Sequence, residues 1–91
     1  MEDTMEQSEI QSKLKQIISH VAGIPVQKIG DSDAFRDDLN LDSLSLLEIG
    51  VDVDFAFKLN LPDEQYKQVE SVDAMVALVE QRLAELRVAV A

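Results

Sequence analysis

Leu41-Asp42-Ser43-Leu44-Ser45-Leu46-Leu47-Glu48-Ile49 is the stretch that decides how this 91-residue chain reads. It opens a helix expected over about 43–59, in which Leu46, Ile49, Gly50, Val53 and Phe57 share one face at ~100° per residue and form a core stripe. Leu44, Leu47, Val51 and Phe55 make a second apolar stripe on roughly the opposite side, interleaved with Glu48 and Asp52. A helix apolar on two faces must bury both or present one to a partner.

Working outward, Ser8 followed three positions on by Gln11 reads as a capping box, and Ile10, Leu14, Ile17, Ile18 and Val21 recur at helical spacing. Gly23 and Pro25 stop that first helix, expected over 8–22. Residues 23–42 have no strong period; Ile24, Val26, Ile29, Phe35 and Leu39 are expected to pin this long loop to a core, with a short helical turn inside it. Beyond the central helix, Asn60-Leu61-Pro62 breaks the chain, and Asp63–Val69 suits a short helix with acids in its first turn. Ser71 can cap a last helix carrying Val72, Met75, Val76, Leu78, Val79, Leu83 and Leu86, ending near 86. The sum is an all-α four-helix bundle with three main helices, one short third helix and a long first loop. Residues 1–7 are expected to be a disordered N-terminus, 8–87 the domain and 88–91 a C-terminal tail.

Composition narrows the function. Eighteen acids against eight basic residues give a net charge of -10, a field that repels nucleic acid and anionic membranes and draws in basic protein surfaces. No cysteine is present, so no disulfide or thiolate metal site staples the fold, and any thiol chemistry must come from an attached group. The apolar fraction of 46% is too high for a disordered acidic tail, and no stretch approaches the ~20 apolar residues of a membrane span. The start, Met1-Glu2-Asp3-Thr4-Met5-Glu6, lacks a signal peptide's basic and apolar regions, so a cytoplasmic protein is expected, as a monomer.

Ser43 has nothing in the sequence to make it a nucleophile. The only histidine, His20, lies in another helix, and no Gly-x-Ser-x-Gly elbow surrounds the serine. A weakly activated hydroxyl at a helix start is either a plain cap or a residue that is modified by another protein. Asp31, Asp33, Asp37 and Asp38 lack the spacing of a twelve-residue calcium loop, and one histidine without convergent ligands is no metal site, so no metal is expected.

With Asp42-Ser43-Leu44 at a helix start, Phe35-x-x-Asp38-Leu39 upstream and Leu61-Pro62-Asp63-Glu64 behind, residues 8–87 resemble an acyl carrier protein. The resemblance implies a protein that is not an enzyme. Ser43 would carry a 4′-phosphopantetheine as a phosphodiester, with acyl intermediates held on its thiol as thioesters. Asp42 would assist the phosphopantetheinyl transferase and its metal ion, and Leu44 would lie beside the modified serine. The second helix would be the recognition surface, with Leu44, Leu47, Glu48, Val51, Asp52, Asp54 and Phe55 meeting basic docking patches on acyl transferases, ketosynthases or acyl ligases. Residues 31–54 hold eight acids against Arg36 alone, a net of -7, so the charge concentrates around Ser43.

Departures from the family's pattern point to a specialised, polyketide-type member of fatty-acid or polyketide-type biosynthesis. Asp54-Phe55-Ala56 and Lys58 stand where glutamates are usual, and Asn40 stands where glycine is common. Gly50, in the core stripe, either leaves room for a folded-in acyl chain or lets two helices approach. A peptidyl or aminoacyl carrier is the alternative within the family. An unmodified acidic adaptor, binding basic partners through the apolar stripe, is the alternative outside it.

Overall fold

The computed structural model describes residues 7–90. Its elements are α1 (Gln7–Ala22), a 3-10 turn (Val26–Lys28), α2 (Ser43–Phe57), α3 (Asp63–Lys67) and α4 (Val72–Val90). The expected all-α bundle with a short third helix and long first loop is what forms. α1 packs on α4 and α2, and α3 packs on α2.

The amphipathic faces read from the sequence meet in one core. Ile10, Leu14 and Ile18 of α1 face Ile49, Val53 and Phe57 of α2 and Val72, Met75, Val76 and Val79 of α4, all buried. Ile17, Val21, Leu78 and Leu83 flank that core half-buried, as does Leu46, which the periodicity had placed within it. Four boundaries differ from expectation. Ser8 lies inside α1 rather than capping it, because the helix already includes Gln7. α2 stops at Phe57, since Lys58 turns left-handed at φ 55 and Asn60 at φ 57. That reversal drops Leu59 into the core, fully buried, and α4 fixes the corner by donating from Arg82 Nε to the Leu59 carbonyl at 2.9 Å. α3 closes at Lys67, and α4 runs on to Val90, so 88–90 continue the helix rather than form a tail. The expected disordered N-terminus, helical Gln7 apart, and Ala91 lie outside the described residues.

The long loop is ordered by backbone bonds. Phe35 N–H donates to the Glu70 carbonyl and Val72 N–H to the Asp33 carbonyl, both at 2.9 Å, tying the loop to the α3–α4 turn through a lone antiparallel bridge of Ala34 with Ser71. Ile29, Phe35 and Leu39 are buried pins as expected, and Ile24 packs half-buried. Val26 instead faces solvent on the 3-10 turn, and Leu41 takes a buried place that no period announced.

Candidate functional site: the start of α2 and its groove

Asn40, at φ 56, makes the left-handed turn that leads into α2. Asparagine tolerates this conformation better than most side chains, which is why it can stand where a glycine is common. Leu41 follows into the core, its N–H donating to the Phe35 carbonyl at 2.9 Å. Asp42 is then the N-cap, its carboxylate accepting from Ser45 N–H at 2.8 Å. The Ser45 backbone bond, then the Ser45 side chain, hold the Asp42 carboxyl below the usual carboxylate range, and Arg36 adds a smaller pull.

Because Asp42 does the capping, Ser43 is the first residue inside the helix and its side chain is exposed. The plain-cap reading of Ser43 is thereby displaced. Its Oγ accepts from Arg36 Nη2 at 3.0 Å. A guanidinium has donors only and cannot take the serine proton. In the sequence Arg36 stands out only as the lone cation of its segment; a contact across seven residues of irregular loop leaves no periodic signal.

A groove of about 470 Å³ opens beside Ser43 between α2 and α3, with Arg36 at its edge and Leu46, Leu47, Gly50, Tyr66 and Val69 on its walls. That size is within the ~300–1,000 Å³ of small-molecule sites. Gly50 is where the two helices touch: a Cβ there would lie 3.1 Å from Tyr66 Cβ and 3.2 Å from Cγ. Of the two readings of Gly50, close helix approach is what the structure has, and the Tyr66 stem takes the adjacent space.

The second stripe of α2 is uncovered. Leu44, Leu47, Val51 and Phe55 are 67%, 45%, 54% and 84% exposed, Glu48 is exposed, and Asp52 is half-exposed. Asp54, expected among the docking charges, is half-exposed and also has a structural role. Its Oδ1 accepts from Leu61 N–H at 3.0 Å and from the Tyr66 hydroxyl at 2.9 Å, tying α2 to the loop and helix that follow. The helix period puts Asp54 on the flank of α2 between the core and outer stripes, next to Gly50, and the left-handed corner at 58–60 brings the chain back over it. Three loop acids are similarly occupied: Asp31 pairs with Lys15, Asp33 accepts from Gly30 N–H and Asp38 from Ala34 N–H, both at 2.7 Å. Among the described residues no group of three or more acids or histidines could hold a metal ion, and His20 is exposed in the last turn of α1. No described helix is long and apolar enough to cross a membrane.

An exposed serine at a helix N-terminus, beside a cation and at the mouth of an apolar groove, fits a group joined through a phosphate. Comparison with known proteins agrees. The family model described as a phosphopantetheine attachment site matches residues 12–79. The chain is 34% identical to the acyl carrier protein of Thermobifida fusca over 74 residues, covering 81% of this chain and 94% of that one. It is 37% identical over 79 residues to the meromycolate extension acyl carrier protein of Mycolicibacterium aurum, covering 87% and 80% of the two. In three dimensions it superposes on the acyl carrier protein from Enterococcus faecalis with a TM-score of 0.68 at 29% identity, covering 86% of this chain and 99% of that one. Fold, attachment-site match and relatives covered over most of their length together make this chain a member of the acyl carrier protein family, a phosphopantetheine-binding carrier.

Proposed function

We propose that Ser43 is the attachment residue and that the protein carries acyl intermediates of a fatty-acid or polyketide-type pathway on the arm it holds. The observation that carries this reading is the Ser43 hydroxyl itself: exposed, inside the first turn of α2, and partnered by a guanidinium rather than a base. Such a hydroxyl does no chemistry alone, so the protein is not an enzyme. A transferase removes the proton as Oγ bonds to the phosphorus of the pantetheine-bearing phosphate of coenzyme A, whose nucleotide leaves. The arm supplies the thiol that a chain without cysteine lacks. Tethering raises the effective concentration of the cargo at each partner.

Partner enzymes dock on α2. Leu44, Leu47, Val51 and Phe55 supply apolar contact, and Glu48 and Asp52 meet basic patches on transferases, ketosynthases or ligases, in the cytoplasm and as a monomer. An exposed phenylalanine where acids are usual, and likeness to meromycolate carriers, support a specialised pathway. The test is intact mass after incubation with coenzyme A, magnesium and a broad-specificity phosphopantetheinyl transferase. The native chain is expected to gain one phosphopantetheinyl group and Ser43→Ala none. A folded native chain that gains nothing, alongside a control carrier that does, defeats the proposal.

A further inference from the structure

The attachment site is built inside a hostile field. Segment 31–54 carries a net of -7, and a phosphodiester on Ser43 adds a further negative charge next to Asp42. The helix N-terminus offsets part of this through its free N–H groups. The remaining compensation has one source within the segment, Arg36, and its guanidinium already rests on the atom to be modified, 3.0 Å from Ser43 Oγ. Its base is fixed: the preceding residue, Phe35, is buried and its N–H is bonded to the Glu70 carbonyl. Arg36 and Ser43 also border the same groove.

We propose that Arg36 is a positioning residue for the attached arm: its guanidinium releases the Ser43 hydroxyl and pairs with the charged phosphodiester oxygens, steering the arm along the α2–α3 groove. This rests on Ser43 being the attachment residue. Arginine suits the task because its planar fork meets two phosphate oxygens at once and stays charged at any working pH. Lys67, on the α3 side of the same groove, is the competing cation, and its point charge gives no such fork.

The test uses the full chain loaded by the transferase, with loading verified by intact mass, as native protein, Arg36→Gln, Arg36→Lys and Lys67→Gln. Glutamine removes the charge and the fork together while leaving a polar side chain, and position 36 is exposed, so the fold is retained; circular dichroism checks this. The readout is the 31P resonance of the phosphodiester, with the Arg36 Nε–Hε cross-peak followed before and after loading. In native protein loading is expected to move the Arg36 cross-peak. In Arg36→Gln the 31P resonance is expected to shift and narrow as the arm is freed, in Arg36→Lys to lie between the two, and in Lys67→Gln to match native. Raising the ionic strength from ~0.01 to ~1 M, which shortens the Debye length from ~30 to ~3 Å, should move the native resonance toward that of Arg36→Gln and leave the variant in place. An identical 31P shift and width in native and fully loaded Arg36→Gln overturns the pairing. No mass gain in the native chain overturns instead the attachment on which it rests.

Discussion

Asp42 and Ser43 divide two jobs that the sequence leaves open between them. The cap is Asp42, so the serine is free of the backbone and its hydroxyl faces solvent and Arg36. The Asp42 carboxyl is held low chiefly by the Ser45 N–H, which favours the ionised form in the folded state. Its folded pKa is thus below the ~3.9 of an unfolded aspartate, so its contribution to stability is present above that pH and lost as the pH falls through the folded value. Asp42→Asn keeps an oxygen acceptor but has no such linkage. Native protein is expected to melt higher than Asp42→Asn near pH 6, with the gap closing as the pH is lowered toward ~2. A gap that stays constant over that range removes the assignment. At Gly50 two effects oppose each other. Alanine recovers ~1 kcal/mol of helix propensity, while overpacking costs ~1–3 kcal/mol, and the contact at 3.1 Å to the Tyr66 stem decides between them. Gly50→Ala is therefore expected to be near neutral by chemical denaturation. Gly50→Leu should lose ~2 kcal/mol or more and shift the α3 amide resonances, because its added atoms have only the groove or Tyr66 to occupy.

One carboxylate ties α2 to α3 beside the Gly50–Tyr66 packing. Asp54 Oδ1 takes the Leu61 N–H and the Tyr66 hydroxyl, which helps fix the turn at 58–62 and sets the ring that lines the groove. Tyr66→Phe keeps the packing against Gly50 and leaves Asp54 half-exposed to water, so it should cost only ~0.5–1.5 kcal/mol. Burial, then the Asp54 hydrogen bond and charge, push the Tyr66 phenol well above its ordinary value. A group with a raised folded pKa stabilises fully below its unfolded value of ~10, and that contribution is lost as the pH climbs beyond it. Native protein should lose more stability between pH ~9 and ~12 than Tyr66→Phe does; parallel losses in the two would show that the phenol stays out of the linkage. This pair also marks where sequence reading stops. Helical faces were legible because Ile10, Leu14 and Ile18, or Ile49, Val53 and Phe57, repeat at the helix period. The serine proposed here for attachment stands out in the sequence because its motif sits at a helix start. Leu59, Tyr66, Arg36 and the hydrogen bonds of Asp54 were not, because each depends on chain returning over itself through left-handed corners at 40, 58 and 60. Such corners carry no periodicity and, with asparagine and lysine in them, no glycine signal either.

At the scale of the molecule, the proposed docking assigns separable tasks to charge and apolar surface. The net of -10 acts over distance, whereas the stripe from Leu44 to Phe55 acts only on contact. Association with a basic partner should therefore slow as salt rises, since screening shortens the Debye length from ~10 Å at 0.1 M to ~3 Å at 1 M. Replacing Glu48 and Asp52 by Gln and Asn should lower the association rate and flatten that salt dependence, with the dissociation rate little changed. Phe55 calls for the opposite pattern. At 84% exposure it contributes almost nothing to the folded core, so Phe55→Ser should leave the melting temperature of the free protein unchanged to within ~0.5 kcal/mol in stability. If the ring is an anchor in the docked complex, its loss should cost ~1–2 kcal/mol, about a tenfold weakening carried by faster dissociation, with the salt slope intact. Surface plasmon resonance against a cognate ketosynthase or transferase at several salt concentrations separates the two variants. An unaltered dissociation rate for Phe55→Ser would remove the apolar stripe from the docking surface and leave recognition to the acids alone, which bring partners together but hold them weakly. The exposed ring would then have no task that offsets the association risk of a large apolar side chain facing solvent, and that imbalance is the physical reason to expect the anchor.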